Sequence, residues 1–85
     1  MHFLYVLKGS KNPKFYIGYT SNIKERIKGH NDGDTVSMSK GRPWKLIYLE
    51  GYRAEVQARK RELTLKKYGK AWQELKKRID DLDSA

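Results

Sequence analysis

A carboxylate on the apolar side of a helix is costly unless a cation answers it, and Glu62 sits at the edge of such a side. On a helix read from about Ala54 to Tyr68 it lies about 60° from the line through Ala54, Ala58 and Leu65. Either Lys66, one turn later, or a divalent metal ion would supply the charge. Earlier in the chain, Arg26 and His30 are four residues apart and therefore stack one turn apart on a helix. A guanidinium forks two parallel hydrogen bonds onto a phosphate, and an imidazole titrates near neutrality. Tyr5 and Tyr16 add two phenolic hydroxyls, although tyrosines in small sheets commonly fill cores. Taken singly, each of these residues has an ordinary explanation: a helix ion pair, a solvated basic face, two core aromatics.

The setting of these side chains is strongly basic. Nineteen Lys and Arg against ten Asp and Glu give a formal charge of +9 over 85 residues, so polyanions are the expected partners. Asp80, Asp81 and Asp83 concentrate acid at one end, and 80–85 is read as an acidic flexible tail after a single domain spanning 1–79. The chain has no Cys, which rules out disulfides and thiolate metal sites, and with only His2 and His30 a structural zinc is a poor reading. Phe3 to Leu7 is too short for the apolar core of a signal peptide or a membrane span. The expected compartment is the cytoplasm, with no membrane partner. Asp32 and Asp34 lack the rest of a calcium-loop pattern and read as turn residues. The chain is read as a monomer or weak homodimer.

The elements that must position these groups follow from periodicity. Phe3 to Leu7 and Phe15 to Thr20, separated by turn residues including Asn12 and Pro13, predict an antiparallel hairpin. Alternation puts Phe3, Tyr5 and Leu7 on one face of the first strand, and Tyr16, Gly18 and Thr20 on one face of the second, so Tyr5 and Tyr16 can meet. Asn22 is placed to cap a short helix, with Glu25 as its capping-box partner and Ile23 and Ile27 buried. A loop from Asn31 to Pro43 carries Lys40 and Arg42. A third strand spans Trp44 to Tyr52, with Leu46 and Tyr48 alternating against Ile47 and Leu49. The helix bearing Glu62 is expected to end at Gly69 in the left-handed conformation. A last helix from Ala71 to Leu82 turns Trp72, Leu75, Ile79 and Leu82 inward. The result is an α+β domain: a small, mainly antiparallel three-stranded sheet flanked by helices, in the order β-β-α-β-α-α.

Tyr5, then Tyr16-Ile17-Gly18 after a short loop, then Arg26 and His30 on the next helix, then Glu62 on a later one, resembles the GIY-YIG endonuclease family. The resemblance runs from Phe3 to about Gly69 and is closest to small stand-alone members. The first signature reads Phe3-Leu4-Tyr5, so only its tyrosine carries over. Lys40-Gly41-Arg42-Pro43-Trp44 is similar to the structure-specific branch of the family that trims branched DNA in repair or recombination.

The resemblance implies metal-assisted hydrolysis of phosphodiester bonds, in DNA and with low sequence specificity. Glu62 would hold one Mg²⁺ or Mn²⁺, which keeps most of its waters and needs few protein ligands. Arg26 would grip the scissile phosphate. Tyr5 would be the general base, provided its pKa is lowered, and Tyr16 would position the water or phosphate. His30 would hydrogen-bond a tyrosine hydroxyl or the phosphate. Gly18 would keep space clear between the tyrosines and the substrate, or else mark a bulge. Lys40, Arg42, Lys66, Lys67 and Lys70 would hold nucleic acid, with Tyr19 or Trp44 available to stack on a base, although Trp44 reads more readily as a core aromatic. The competing readings are a non-catalytic nucleic-acid-binding module on the same fold and a protein-interaction domain for an acidic partner.

Overall fold

The computed structural model describes residues 1–10, 14–32 and 43–84, with side chains to residue 81. Asn12, Pro13, Asp34, Lys40 and Arg42 lie outside the described residues, as does the side chain of Leu82. The elements are β1 (His2–Gly9), β2 (Phe15–Thr20), α1 (Ile23–Asp32), β3 (Trp44–Tyr52), α2 (Glu55–Lys67) and α3 (Gly69–Ser84). The three strands form one antiparallel sheet in the order β2-β1-β3.

β1 occupies the centre because its apolar run is covered from both sides. Leu4, Tyr5, Val6 and Leu7 are each at most 1% exposed. Leu4 and Val6 pack with Leu65 of α2 and Leu75 and Ile79 of α3. On the opposite face Tyr5 and Leu7 pack with Trp44 and Leu46 of β3, Tyr16 of β2, and Ile23 and Ile27 of α1. The sheet thus separates two small cores, and the residues singled out on β1 and β2 face the one beneath α1.

The expected alternation fails in β3. Val6 pairs with Tyr48 while Leu7 pairs with Leu46, so Ile47 is an extra residue in the ladder. A bulge of this kind reverses which face the following residues meet. Leu46 therefore joins Tyr5 and Leu7, whereas Tyr48 packs against the other core.

Local chemistry sets the helix ends. Asn22 Oδ1 accepts a hydrogen bond from the Glu25 N–H at 3.2 Å, as a cap should. The Asn22 N–H, however, donates to Thr20 Oγ1 at 3.1 Å, so Thr20 takes the part expected of Glu25. At the other end of α1, the Asn31 side chain donates to the Trp44 carbonyl at 3.2 Å and accepts from the Trp44 N–H, tying the helix to the start of β3. At the start of α2, the Ala54 N–H donates to Gln57 Oε1 at 3.1 Å.

Gly69 does not end α2 in a left-handed conformation. Tyr68 makes the break, in extended geometry with φ −110° and ψ 103°, and Gly69 is the first residue of α3 with its φ outside the left-handed region. The physical reason is that Tyr68 satisfies both helices: its N–H donates to Thr64 O at 3.0 Å, and its carbonyl accepts from Ala71 and Trp72 at 3.0 and 3.3 Å. Nor does the chain leave the helix at Asp80. α3 continues to Ser84, anchored by buried Leu75 and Ile79, and Asp80 and Asp81 follow Lys76 and Lys77 at the spacing of helical neighbours. Among the described residues no helix is long and apolar enough to cross a membrane.

Candidate active site

In the β1–β2 register Tyr5 stands opposite Gly18 and Leu7 opposite Tyr16, which makes Tyr16 the diagonal neighbour of Tyr5. Their rings stack with centroids 6.2 Å apart and planes 30° from parallel. The Tyr5 ring lies directly across Gly18. A Cβ there would fall 2.5 Å from Tyr5 Oη, 2.7 Å from Cζ and 3.1 Å from Tyr16 Cε1. The pairing runs through Gly18 without a shift, so the bulge reading gives way to that of a residue kept small to admit a neighbouring ring.

His30, in the last turn of α1 and 7% exposed, places Nε2 within hydrogen-bonding distance of Tyr5 Oη, at 3.1 Å. Its ring also meets Tyr16 edge-on, with centroids 4.7 Å apart. The Tyr5 hydroxyl is pushed well above its ordinary value, chiefly by burial, with Tyr16 and Glu62 adding to the shift and Arg26 opposing it. The protein alone therefore holds Tyr5 as a neutral phenol at neutral pH. Among the protein's own groups, burial outweighs the guanidinium.

Arg26 lies between two adjoining clefts. One, of about 430 Å³, is lined by Tyr5, Tyr16, Gly18, Arg26 and Glu62. The other, of about 340 Å³, is lined by Thr20, Ser21, Asn22, Gly29 and His30 together with Arg26. Glu62 reaches the first cleft from α2 with its side chain 17% exposed, and Lys66 approaches it at 3.7 Å. The same ammonium lies 5.8 Å from the centre of the Tyr16 ring. The ordinary helix pair thus exists, and it forms at the cleft itself. Four elements consequently bring Tyr5, Tyr16, Gly18, Arg26 and Glu62 to one opening, with His30 behind them.

The other residues named from sequence divide. Tyr19 lines the cleft. Trp44 is 7% exposed and packs edge-on to Tyr16 at 6.4 Å, so it is a core aromatic and not a surface for a base. Lys67 and Lys70 are exposed and do not line the cleft, with Lys67 5.9 Å from the Tyr68 ring centre.

Sequence reasoning missed Glu55, which lines the cleft two turns before Glu62. Its signal was the seven-residue spacing that returns to the same helix face. It also missed Glu50 on β3. Tyr48 and Tyr52 each donate to this carboxylate at 2.6 Å, and Arg61 meets it with two hydrogen bonds at 3.0 and 3.2 Å. Burial works against the Glu50 charge, but these bonds from Arg61, Tyr48 and Tyr52 outweigh it and hold the carboxyl below its ordinary value. Arg61 and Glu62 are adjacent on α2, so this clamp fixes the helix that carries Glu62.

Among the described residues no group of three or more His, Asp or Glu is gathered for a metal ion. One cleft-facing carboxylate with a second on the same wall suits Mg²⁺, which keeps its waters and takes further oxygens from phosphate. It does not suit an ion that demands a full protein cage.

Comparison with known proteins agrees with this architecture. The family described as the GIY-YIG catalytic domain matches residues 1–78. A UPF0213 protein of Clostridium perfringens is 40% identical over 68 residues, covering 79% of this chain and 72% of the relative. The UPF0213 protein YazA of Bacillus subtilis is 37% identical over 75 residues, covering 87% and 75%. A UPF0213 protein of Halobacterium salinarum is 33% identical over 75 residues, covering 87% and 96%. No solved structure matches. The chain belongs to the GIY-YIG catalytic domain family.

Proposed function

We propose that this member of the GIY-YIG family is an endonuclease that hydrolyses phosphodiester bonds, with DNA as its substrate, in the cleft between α1, α2 and the β1–β2 hairpin. The observation that carries the reading is the convergence on one cleft of a guanidinium, a carboxylate and two phenols, with an imidazole bonded to one of them. Arg26 binds the scissile phosphate and offsets charge as the pentacoordinate state forms. Glu62, with Glu55 on the same wall, would hold the divalent ion. When bound, Mg²⁺ or Mn²⁺ neutralises charge on the phosphate and the leaving oxygen.

The two tyrosines exchange the parts expected from sequence. Tyr5, neutral and bonded to His30, donates or positions. Tyr16, as a phenolate that has given its proton to solvent, takes the proton of the attacking water as the water oxygen bonds to phosphorus. The ester P–O bond breaks, and solvent returns a proton to the leaving oxygen. Lys67 and Lys70, with Lys40 and Arg42, extend the hold on the backbone. Low sequence specificity follows because, among the described residues, the cleft offers phosphate-directed charge and no built set of base-edge contacts.

The test incubates purified protein with plasmid, single-stranded and branched DNA and with RNA, with Mg²⁺, with Mn²⁺ and with neither. Metal-dependent cutting of a DNA substrate supports the proposal. Salt-sensitive binding without cutting favours the non-catalytic module, and no binding at all favours a protein partner.

A further inference from the structure

A phosphodiester carries a nucleoside on each side of its phosphorus, and Arg26 lines two adjoining clefts. Of the residues given a part in the reaction, Arg26 and His30 alone line the second. That cleft holds about 340 Å³, at the small end of the range for ligand sites, about 300–1,000 Å³. Thr20, Ser21 and Arg26 line both clefts, so the two are continuous. The Tyr5–His30 contact joins them behind, with Tyr5 lining the first and His30 the second.

One face of α1 makes the wall of the second cleft. Asn22, the cap, is followed by Glu25, Arg26 and Gly29 at three, four and seven residues, while Ile23 and Ile27 turn to the core. Glycine inside a helix is unfavourable relative to alanine, and here it leaves part of the wall without a side chain. Among the described residues Arg26 is the only lysine or arginine lining the cleft, and Glu25 sets a carboxylate beside it. A second phosphate would be repelled by that carboxylate, with no further lysine or arginine on the wall to offset it. An uncharged sugar and base meet no such penalty, and the Ser21 hydroxyl and Glu25 carboxylate offer them hydrogen-bond partners.

From this arrangement we infer that the second cleft is a nucleoside subsite, which takes the sugar and base on one side of the phosphate held by Arg26. The inference rests on the nuclease reading of the first cleft and deepens it by giving the neighbouring nucleotide a place. Gly29 admits the nucleoside, and a large side chain there fills the space without removing any reacting group.

The test titrates wild type and Gly29→Leu with thymidine 5′-monophosphate, thymidine 3′-monophosphate and methyl phosphate, following backbone amide shifts by NMR. Urea midpoints establish that both proteins are folded, and the wild-type comparison decides the matter alone if the variant is not. In wild type, one of the two nucleotides is expected to bind more tightly than methyl phosphate and to move the Ser21 and Gly29 amides further. In Gly29→Leu that nucleotide is expected to bind roughly tenfold more weakly, about the loss of one nucleoside contact, with methyl phosphate kept within about twofold of wild type. Equal affinity of wild type for the nucleotides and methyl phosphate, nucleotide shifts confined to Gly18 and Tyr19, or an equal loss of all three ligands in the variant overturns the subsite and leaves the nuclease reading intact. If none of the ligands moves the amides around Arg26, its phosphate role falls, and the nuclease reading falls with it.

Discussion

Gly18 is where the site has least room, since any side chain there collides with the Tyr5 ring, which is fixed by burial. Gly18→Ala is expected to cost about 1–3 kcal/mol in a urea melt, because the ring must move out of a packed core. It is also expected to slow single-turnover cleavage by roughly 10²-fold, as a small misplacement of reacting groups does. Tyr5 makes a second prediction, in pH. Its folded pKa lies above the unfolded value, so its contribution to stability is complete below about pH 10 and is lost as the pH rises beyond it. Urea midpoints of wild type and Tyr5→Phe should therefore converge, or cross in favour of the variant, between pH 7 and pH 11. The tyrosines, Arg26, His30 and Glu62 were legible because their types and order are informative in a chain this short. The state of Tyr5 was not, because burial is a property of the folded surroundings and not of the residue.

The clamp between β3 and α2 governs how Glu62 is aimed. Glu50→Gln keeps the shape but removes the charge that Arg61 bonds, and stability should fall at neutral pH. The folded pKa of Glu50 lies below its ordinary value, so the advantage of wild type is present above about pH 4.5 and lost as the pH falls through the folded value. Urea melts of both proteins at pH 7 and pH 3 check the sign: a difference at pH 7 that closes at pH 3. Asn22→Ala should cost about 1 kcal/mol by removing the cap of α1, which carries Arg26 and His30. At this scale the hairpin, the helices and the antiparallel sheet could be read from alternation and spacing. The bulge at Ile47 could not, because nothing in a run of apolar residues marks which one is skipped by the ladder. Glycine after a helix was misleading at Gly69, where the Tyr68 backbone already closed both helix ends.

At the scale of the molecule, a charge of +9 is spread over an 85-residue chain whose cleft holds both an acidic wall and a guanidinium. Binding of any nucleic acid should weaken linearly in log K against log salt, and Lys66→Gln should reduce that slope by about 1. The α+β architecture was legible from the order of its elements. Its two-core construction, with Tyr5 and Tyr16 beneath α1 and β2 at the sheet edge, emerges only when the strands are paired. The most direct test of the nuclease reading is cleavage of plasmid, single-stranded and branched DNA, with and without Mg²⁺, by wild type and by Glu62→Gln, with DNA affinity measured on the same preparations. The expected result is cutting that needs the metal and disappears in the variant while affinity is kept. A variant that cuts as fast as wild type would contradict it.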